Sequence, residues 1–485
     1  MKTKILSPRL LTLLALGFGA RFTSAWDQAP ALAGKGAPIS ESDRLYTGDQ
    51  SSNTITVIKP ATGEVLGTIS LGDGRLGNEL NPQYVKSVNS HGLGFSPNGK
   101  LIVSLAVTSN TVTVIRTEDN SIVSQTSVDR NAHEAFFESD NRHVWVGTRG
   151  VDRVDIVDGL KGGVVGHVES YGGPSKVVFS PDGKRAYANH VRSPSLSVID
   201  VAKRRVIANI TGLGDVFSSD MMISPDGKRL WTAHKMVGKV SVIDLVSRKV
   251  VGVLDTGDET NHPNFAVLNG TTHAFVTVAS LNETRMYSQP RSDRMPVYLG
   301  AIPASGVEPH GLWPSADNTH LYVVNEHSDT VDFIDLTVFP PKVVKTINVG
   351  QEGQAIIYVS GAVSSASNGT HNLGNQGLFN KPALNKILTE SQPQASGKVS
   401  PSCLVTVRPE IGLDMFQVIG RNLAFNTTYT VSATLGDRMI PLVDFNATAP
   451  MGDGCGTAPQ VLAFFKFIGV YEMDDLVMTS KSNAA

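Results

Sequence analysis

Short runs of alternating hydrophobic and polar residues recur along most of this chain, and each run ends at a turn. In the clearest copy, residues 180–200, the turn S-P-D-G precedes A-Y-A-N, and L-S-V-I-D follows before the next turn. Proline fixes φ and Asp-Gly supplies a left-handed position, so S-P-D-G predicts a tight turn between two strands. Alternation with a period of two predicts that each run is a β-strand.

The same frame returns from Ser224, from Ser315 and, in a looser copy, from Ser96. Neighbouring copies are spaced by roughly 43 residues, the period of the four-stranded blades of a β-propeller. Segments that match the innermost strand of a blade fall at 91–95, 135–138, 176–179, 221–223, 265–268, 311–313 and 355–359. Sets of outer strands begin near residues 44, 101, 143, 185, 229, 273 and 320.

The first and last of these elements complement each other. The set that begins near residue 44 has no inner strand before it, and the inner strand at 355–359 has no outer set after it. Joining the two closes a ring and removes the exposed sheet edges that favour aggregation. We therefore predict an all-β fold, a seven-bladed β-propeller over residues 42–361 that is closed by a terminal strand exchange.

The N-terminus carries the features of a signal peptide. Lys2 and Lys4 precede an apolar run at 10–20, and Thr23-Ser24-Ala25 suits cleavage near Ala25. The run is too short to span a bilayer, so we expect a secreted protein with a signal peptide at 1–25 and a lead-in at 26–41. Sequons for glycosylation, which suit a secreted chain, occur at Asn209, Asn269, Asn282, Asn368, Asn426 and Asn446.

The composition changes after the propeller. Residues 362–400 are rich in Ser, Asn, Gln and Pro, which predicts a linker. Alternation resumes at 404–407, 416–420, 429–433, 439–445 and 461–470, which predicts a small β domain over 401–485. The chain has two cysteines, Cys403 and Cys455, and in an oxidising compartment they are expected to form a disulfide.

Charge and short motifs exclude several classes of function. The net charge is −2 over 485 residues, which gives no support to a nucleic-acid partner, and no basic tract suggests a membrane surface. The sequence has no G-x-S-x-G elbow, no phosphate-binding P-loop and no C-x-x-C. We expect no cofactor and no metal, and the sequence leaves the oligomeric state open.

The motifs at 322–325 (Y-V-V-N) and 187–190 (Y-A-N-H), with the shared V-I-D turns, resemble the YVTN family of seven-bladed β-propellers. That family includes surface and binding proteins, lactonase-like hydrolases and quinoprotein-like relatives. The layout of signal peptide, propeller and two-cysteine β domain is also similar to the hetero-Diels–Alderases of fungal tropolone–sesquiterpenoid pathways. This narrower resemblance implies a pericyclase that joins an o-quinone methide to a macrocyclic sesquiterpene alkene, and it assigns no residues.

Blade topology predicts where a site lies. The start of the inner strand and the end of the second strand meet on one face, opposite the S-P-D-G turns. Counting from the turns places four of the twelve histidines on that face together with Glu134, and these are the catalytic candidates: His91, Glu134, His190, His234 and His310. Candidates for substrate binding on or near that face are Asn264, Asn325, Arg149 and Trp313.

These residue types have three interpretations. Imidazole titrates near neutral pH, so the histidines can act as general acids or bases. A metal site is disfavoured because H-x-x-x-H spacing is absent and each ligand would come from a different blade. The third interpretation is structural, with polar side chains that bind water and neighbouring backbone.

Three functions remain open at this point. The first is a secreted enzyme of secondary metabolism that binds apolar small molecules and catalyses a cycloaddition. Such an enzyme needs proximity and orientation but no nucleophile, and it predicts an apolar lining beneath a polar rim. The second is a lactonase-like hydrolase that uses a metal or activated water. The third is a non-catalytic binding or surface propeller.

Overall fold

The computed structural model describes residues 36–71, 89–289, 294–374, 384–389, 400–409, 414–424, 427–446, 450–451, 456–457, 460–466 and 475–482. The predicted signal peptide, Asn426 and Cys455 lie outside the described residues. None of the helical segments in these ranges has the length and apolar character needed to cross a membrane.

Seven four-stranded antiparallel sheets form the predicted propeller. Blade 1 consists of β28 (Gly353–Val359), β1 (Arg44–Asp49), β2 (Thr54–Lys59) and β3 (Glu64–Ser70). Blade 2 consists of β4 (Ser90–Phe95), β5 (Leu101–Ala106), β6 (Thr111–Arg116) and β7 (Ile122–Ser127). Blade 3 consists of β8 (Ala132–Phe137), β9 (His143–Thr148), β10 (Arg153–Asp158) and β11 (Val164–Glu169). Blade 4 consists of β12 (Pro174–Phe179), β13 (Arg185–His190), β14 (Ser195–Asp200) and β15 (Arg205–Thr211).

The remaining blades follow the same order from the inside outwards. Blade 5 consists of β16 (Asp220–Ile223), β17 (Arg229–His234), β18 (Lys239–Asp244) and β19 (Lys249–Asp255). Blade 6 consists of β20 (Thr260–Leu268), β21 (Thr271–Val278), β22 (Glu283–Ser288) and β23 (Val297–Pro303). Blade 7 consists of β24 (Pro309–Pro314), β25 (His320–Asn325), β26 (Thr330–Asp335) and β27 (Lys342–Asn348). Short 3-10 turns follow the second strands of blades 5, 6 and 7, at Lys235–Val237, Ala279–Leu281 and Glu326–Ser328.

The ring closes by strand exchange, as the sequence predicted. The last inner strand, β28, pairs antiparallel with β1 at the start of the chain, with Tyr46 opposite Ile357. The predicted turns are also present, because Gly183 and Gly227 have φ values of 66° and 67°. In each of these turns the serine hydroxyl donates to the aspartate two residues later, at 2.6 Å.

Large side chains of the second strands fill the layers between blades. Trp145 meets Phe179 of the next blade edge-on with ring centroids 5.4 Å apart, and Trp231 meets Phe265 at 5.8 Å. Both tryptophans are fully buried. Edge-to-face pairs of this kind add to the free energy gained by burying the rings, so these layers fix each blade against the next.

The C-terminal region forms further sheets, which confirms the predicted β domain. One sheet has the order β29 (Leu384–Thr389), β30 (Ser402–Pro409), β31 (Asp414–Arg421) and β36 (Gln460–Lys466). A second has the order β33 (Arg438–Asn446), β32 (Thr427–Leu435) and β37 (Asp475–Ser482), and β34 (Pro450–Met451) pairs with β35 (Gly456–Thr457). Apolar side chains of the two larger sheets form their own core, including Val405, Phe416, Val418, Tyr429 and Val431.

The predicted linker contains ordered structure. Its residues 384–389 form strand β29, with the sequence L-N-K-I-L-T, and Thr68 of blade 1 bonds through its backbone to Gly374. Cys403 is buried on β30, and its pairing with Cys455 stays a prediction. Among the described sequons, Asn209, Asn269, Asn368 and Asn446 are exposed, whereas the amide oxygen of Asn282 accepts from the backbone N–H of Glu308 at 2.9 Å.

Candidate functional site

A cavity of about 230 Å³ lies where the inner strands begin, at the predicted face of the propeller. Four histidines line it: His91 on β4, His133 on β8, His262 on β20 and His310 on β24. Each lies where the pairing of its inner strand with the second strand shifts register. A β-bulge re-aims the side chains around it, so these irregularities bring the four rings to the channel axis.

The first pair of rings is held in a defined hydrogen-bond arrangement. Nε2 of His91 lies 3.0 Å from Nε2 of His133, and Nδ1 of His91 lies 2.9 Å from Oε1 of Gln50. Because the Gln50 oxygen only accepts, His91 Nδ1 donates and its Nε2 accepts the proton of His133. Burial, with nearby positive groups such as Arg149, holds the pKa of both imidazoles well below the usual value, so both are neutral.

The second pair adjoins the first, since the ring centroids of His91 and His310 are 6.2 Å apart. The ring centroids of His262 and His310 are 4.6 Å apart, and Nδ1 of His310 donates to the carbonyl of Gln354 at 2.8 Å. Burial, helped by Lys235, lowers the pKa of His310 to about 3. At neutral pH this imidazole is therefore uncharged.

A buried ion network lies beneath the histidines. Lys176 Nζ is 2.7 Å from Asp220 and 3.9 Å from Glu134. Burial raises the pKa of Glu134 to about 7, against the opposing effect of Lys176. One ligand atom from each of Glu134, Asp220 and His262 lies within 4.8 Å of the others. The ammonium group of Lys176 supplies the positive charge that these carboxylates require.

A second group of charges faces the C-terminal sheet. Lys235 Nζ lies 3.6 Å from Glu308, and His327 Nε2 lies 3.2 Å from the same carboxylate. Burial and the neighbouring Glu308 raise the pKa of Glu326 to about 8, so its carboxyl group is protonated at neutral pH. The cavity thus contains a neutral carboxylic acid that can donate a proton.

The C-terminal sheet forms one wall of the cavity. Gln417 and Ile419 of β31 line it, and Arg421 at the end of that strand pairs with Glu259 of the propeller. Asn385 of β29 donates to the backbone carbonyl of His327. The β domain therefore lies against the end of the propeller where the four histidines lie.

An open groove adjoins the cavity. Its volume is about 470 Å³, and its lining includes the apolar side chains Val107, Ala132, Val191 and Phe217. The groove and the cavity share His133, Arg149 and Phe217.

Arg149 is the predicted binding residue at this junction. Its Nε donates to the hydroxyl of Ser175 at 2.9 Å and its Nη2 donates to the carbonyl of Ser219 at 3.2 Å. The guanidinium carbon lies 5.7 Å from the centroid of the Phe217 ring. Burial lowers the pKa of Arg149 to about 10, which leaves it charged at neutral pH.

Three predicted site residues lie elsewhere. His190 forms hydrogen bonds with Ser170, Ser195 and Ser197. His234 forms hydrogen bonds with the Phe217 carbonyl and the Ser241 hydroxyl. The Asn325 amide donates a hydrogen bond to the Thr330 hydroxyl. All three are buried inside their blades, and none lines the cavity. The structure therefore does not bring these three side chains together with the other predicted site residues, because the second strand lies one strand spacing, about 4.8 Å, further from the axis.

Glu134, Asn264 and Trp313 lie deeper in the channel, below the cavity. The Asn264 amide donates to the carbonyl of Leu312 at 2.7 Å and its oxygen accepts from the N–H of Phe265, so it ties blade 6 to blade 7. Trp313 packs edge-on against Phe95 with a centroid distance of 5.7 Å. Counting from the turns missed His133 and His262 because blades 3 and 6 lack the S-P-D-G serine: Glu138 and Val267 stand in its place, and the count that reaches His91 from Ser96 reaches His133 and His262 from these two residues.

Comparison with solved structures shows the fold alone. Hydrazine synthase from Kuenenia stuttgartiensis matches with a TM-score of 0.51 and 19% identity, covering 66% of this chain and 99% of that one. A periplasmic gluconolactonase from Pseudomonas aeruginosa matches with a TM-score of 0.51 and 15% identity, covering 66% and 99%. A putative 6-phosphogluconolactonase from Bacteroides fragilis matches with a TM-score of 0.54 and 10% identity, covering 67% and 100%.

No protein-family model and no curated protein matches the sequence. The protein is therefore a seven-bladed β-propeller similar in structure to lactonase-type propellers, with additional C-terminal sheets. This fold hosts diverse enzymes, so function has to be argued from the site.

Proposed function

We propose that the protein is a secreted enzyme of secondary metabolism, a hetero-Diels–Alderase that joins an o-quinone methide to a macrocyclic sesquiterpene alkene. The observation that carries this proposal is the position of Arg149, a charged donor at the junction of the histidine-lined cavity and a groove where apolar side chains such as Val107 and Val191 lie beside polar ones such as Arg192. The two spaces suit two different reactants. The oxygen-bearing heterodiene occupies the cavity, and the alkene lies along the groove.

The lining differs from the expectation of an apolar chamber beneath a polar rim. The cavity is lined mainly by histidine, carboxylate, amide and basic side chains, and apolar side chains such as Val107 and Val191 lie in the groove. A purely hydrocarbon ligand would leave these cavity groups without partners, which disfavours it. The carbonyl oxygen of an o-quinone methide can accept from a donor such as Arg149, which an alkene cannot do, so the cavity favours the o-quinone methide over the alkene.

The chemistry follows from positioning and electrostatics. As the heterodiene accepts electron density from the alkene, its carbonyl oxygen gains negative charge. The remaining N–H groups of Arg149 stabilise that charge, because they are fixed in place by Ser175 and Ser219 before reaction. Holding both reactants in contact removes much of the entropic barrier, and two new bonds form without any protein nucleophile.

The decisive test is the variant Arg149→Met. Removing a fixed donor to a developing oxyanion lowers the rate constant by about 100-fold to 1,000-fold, so single-turnover cycloadduct formation is expected to fall by that factor. Arg185→Met is the matched control, because Arg185 belongs to blade 4 but pairs with Asp200 outside the cavity and the groove. Equal rates for the two variants would contradict the role of Arg149.

A lactonase-like hydrolase is the second candidate. The cluster of Glu134, Asp220 and His262 favours it, since two carboxylates and an imidazole within 4.8 Å can hold a metal ion or activate water. This function predicts hydrolysis of a simple δ-lactone, loss of turnover with Glu134→Gln, and loss with a chelator if a metal is bound. Cycloadduct formation that persists with a chelator and in this variant would exclude it.

A further inference from the structure

Two buried amide oxygens line the central cavity without a hydrogen-bond partner in the described part of the chain. They are Oδ1 of Asn261 and Oε1 of Gln417, and their side chains are 1% and 7% exposed. A buried acceptor without a donor is costly, and native proteins satisfy nearly all such groups. Two such oxygens in one cavity indicate a ligand that brings its own donors.

The fold fixes the orientation of the Asn261 amide and the backbone position of Gln417. The Asn261 amide nitrogen donates to the carbonyl of Pro309 at 3.1 Å, which sets the orientation of the amide and directs Oδ1 away from that bond. Gln417 lies opposite Thr406 on one side and Ala463 on the other, in the middle of the C-terminal sheet. The Asn261 acceptor is therefore held in place before a ligand binds, and the sheet fixes the backbone from which the Gln417 side chain reaches the cavity.

The two acceptors come from different parts of the chain. Asn261 belongs to inner strand β20 of the propeller, and Gln417 belongs to β31 of the C-terminal sheet. Near these residues, Arg421 at the end of β31 pairs with Glu259, which directly precedes β20. The Arg421 guanidinium is about 15% exposed and the Glu259 carboxylate about 2% exposed, so water screens this pair little. It holds Gln417 over the cavity.

The shape of the cavity restricts the ligand further. Its volume of about 230 Å³ is small, below the range of about 300–1,000 Å³ that is typical of drug-sized ligands. Ring side chains form part of the walls, including the imidazoles of His91, His133 and His310 and the ring of Phe217. Flat walls of this kind favour a small planar ring.

We propose that the cavity binds a small planar ring with two hydroxyl groups, one donating to Asn261 Oδ1 and the other to Gln417 Oε1. The C-terminal sheet is then part of the binding site, and Gln417 determines its specificity for hydroxyl donors. This inference deepens the proposed function and rests on it, since a phenolic ring is the chemical parent of an o-quinone methide. It concerns binding and involves no bond-forming step.

Calorimetric titration of the full-length protein with three rings of similar size tests the donor requirement. Catechol carries two hydroxyl groups, phenol carries one, and 1,2-dimethoxybenzene carries the same oxygens without donors. Catechol is expected to bind about fivefold to tenfold more tightly than phenol, the effect of one additional hydrogen bond, and 1,2-dimethoxybenzene more weakly than both. Equal affinity of catechol and 1,2-dimethoxybenzene, or no binding of catechol at millimolar concentration, would overturn the proposal.

The variant Gln417→Leu assigns the second acceptor. It is expected to lower catechol affinity to that of phenol and to leave phenol affinity within twofold, because Asn261 still accepts one hydroxyl. Thr430→Val is the control, since Thr430 lies in the other C-terminal sheet and bonds to Asp444 outside the cavity. Unchanged catechol affinity in Gln417→Leu would show that Gln417 does not contact the ring.

A second pair of variants keeps the test valid if Gln417→Leu fails to fold. Arg421→Gln removes the ion pair that joins β31 to β20, whereas Lys386→Gln removes the pair with Asp475 within the C-terminal sheets. Catechol affinity is expected to fall several-fold only in Arg421→Gln, and equal affinities would overturn the role of the sheet. Absence of cycloadduct in the rate assay would reject the proposed function, whereas the catechol titrations test the binding of the ring independently of that assay.

Discussion

His91 and His133 face each other with their Nε2 atoms 3.0 Å apart, although they lie on neighbouring blades. At this distance one nitrogen donates and the other accepts, so a proton added to the accepting ring would set two N–H groups against each other. The pair therefore stays neutral at the pH where the protein works. The same holds for His310, whose pKa is lowered by burial to about 3.

The neutral histidines predict acid sensitivity. An unfolded histidine takes up a proton near pH 6.5, whereas folded His310 does so only near pH 3, so stability is lost as the pH falls between these values. One such group contributes up to about 1.4 kcal/mol per pH unit to the slope of the unfolding free energy. We expect His310→Gln to flatten the slope measured by urea unfolding from pH 6 to pH 4 by this amount.

The control for that measurement is His167→Gln, which removes a half-exposed imidazole on the outer strand β11, away from the cavity. The slope measured for His167→Gln shows how much of the change in the pH dependence of the unfolding free energy comes from the loss of any imidazole. An identical slope in His310→Gln and in the unmodified protein would mean that His310 binds its proton equally well in both states.

The structure predicts that His234 serves stability and not catalysis. His234 is fully buried in blade 5, where Nε2 lies 2.7 Å from the hydroxyl of Ser241. His234→Ala leaves a cavity and unpaired partners, so the unfolding free energy is expected to fall by about 2–4 kcal/mol. The kcat/KM of this variant for cycloaddition, measured well below the unfolding temperature, should stay within twofold of the parent value. A 100-fold loss of kcat/KM would show that His234 takes part in catalysis.

Glu326 predicts the basic limb of the pH–rate profile. Burial raises its pKa to about 8, so its carboxyl group donates protons below this pH and loses that ability above it. If it assists the reaction, the rate should decrease above pH 8, and Glu326→Gln should abolish that limb. Glu138→Gln is the control, because Glu138 bonds to Trp145 and lies outside the cavity. If the decrease in rate above pH 8 persists in Glu326→Gln, a group other than Glu326 causes it.

We expect the stability of the ring to be most sensitive to substitutions in the closing strand β28. Ile357 of β28 is 1% exposed and pairs with Tyr46 of the first blade. Ile357→Ala is expected to lower the unfolding free energy by about 2–4 kcal/mol, whereas the control Val344→Ala on exposed β27 should change it by less than about 0.5 kcal/mol. Equal effects in chemical unfolding would mean that the exchanged strand adds little to the ring.

The sequence was sufficient to predict the propeller ring, but it did not predict all the residues that line the cavity. The S-P-D-G turns and the alternation after them set the blade count, and the mismatch between residues near 44 and near 355 predicted the closure. His91 and His310 were found because counting from the turns happens to reach the bulged positions. His133 and His262 were not found, since blades 3 and 6 lack the S-P-D-G motif and the count there did not start from the true turn positions, Glu138 and Val267.

The positions of His190 and His234 also could not be read from the local pattern. His190 and His234 were placed on the site face from their position at strand ends, but a side chain at such an end can point into its own blade. The wall formed by Gln417 and Ile419 was also beyond prediction, because it depends on how the C-terminal sheet packs against the propeller. Contacts between residues more than a hundred positions apart are set by packing and not by local pattern.

The central claim is that Arg149 and the adjoining groove hold an o-quinone methide and an alkene in one orientation. The most direct test is the stereochemistry of the cycloadduct formed from an o-quinone methide generated in solution and a humulene-type alkene. With the unmodified protein we expect one stereoisomer above the uncatalysed background, unaffected by a chelator and reduced to background selectivity in Arg149→Met. A racemic product at the uncatalysed rate with folded, unmodified protein would contradict the account.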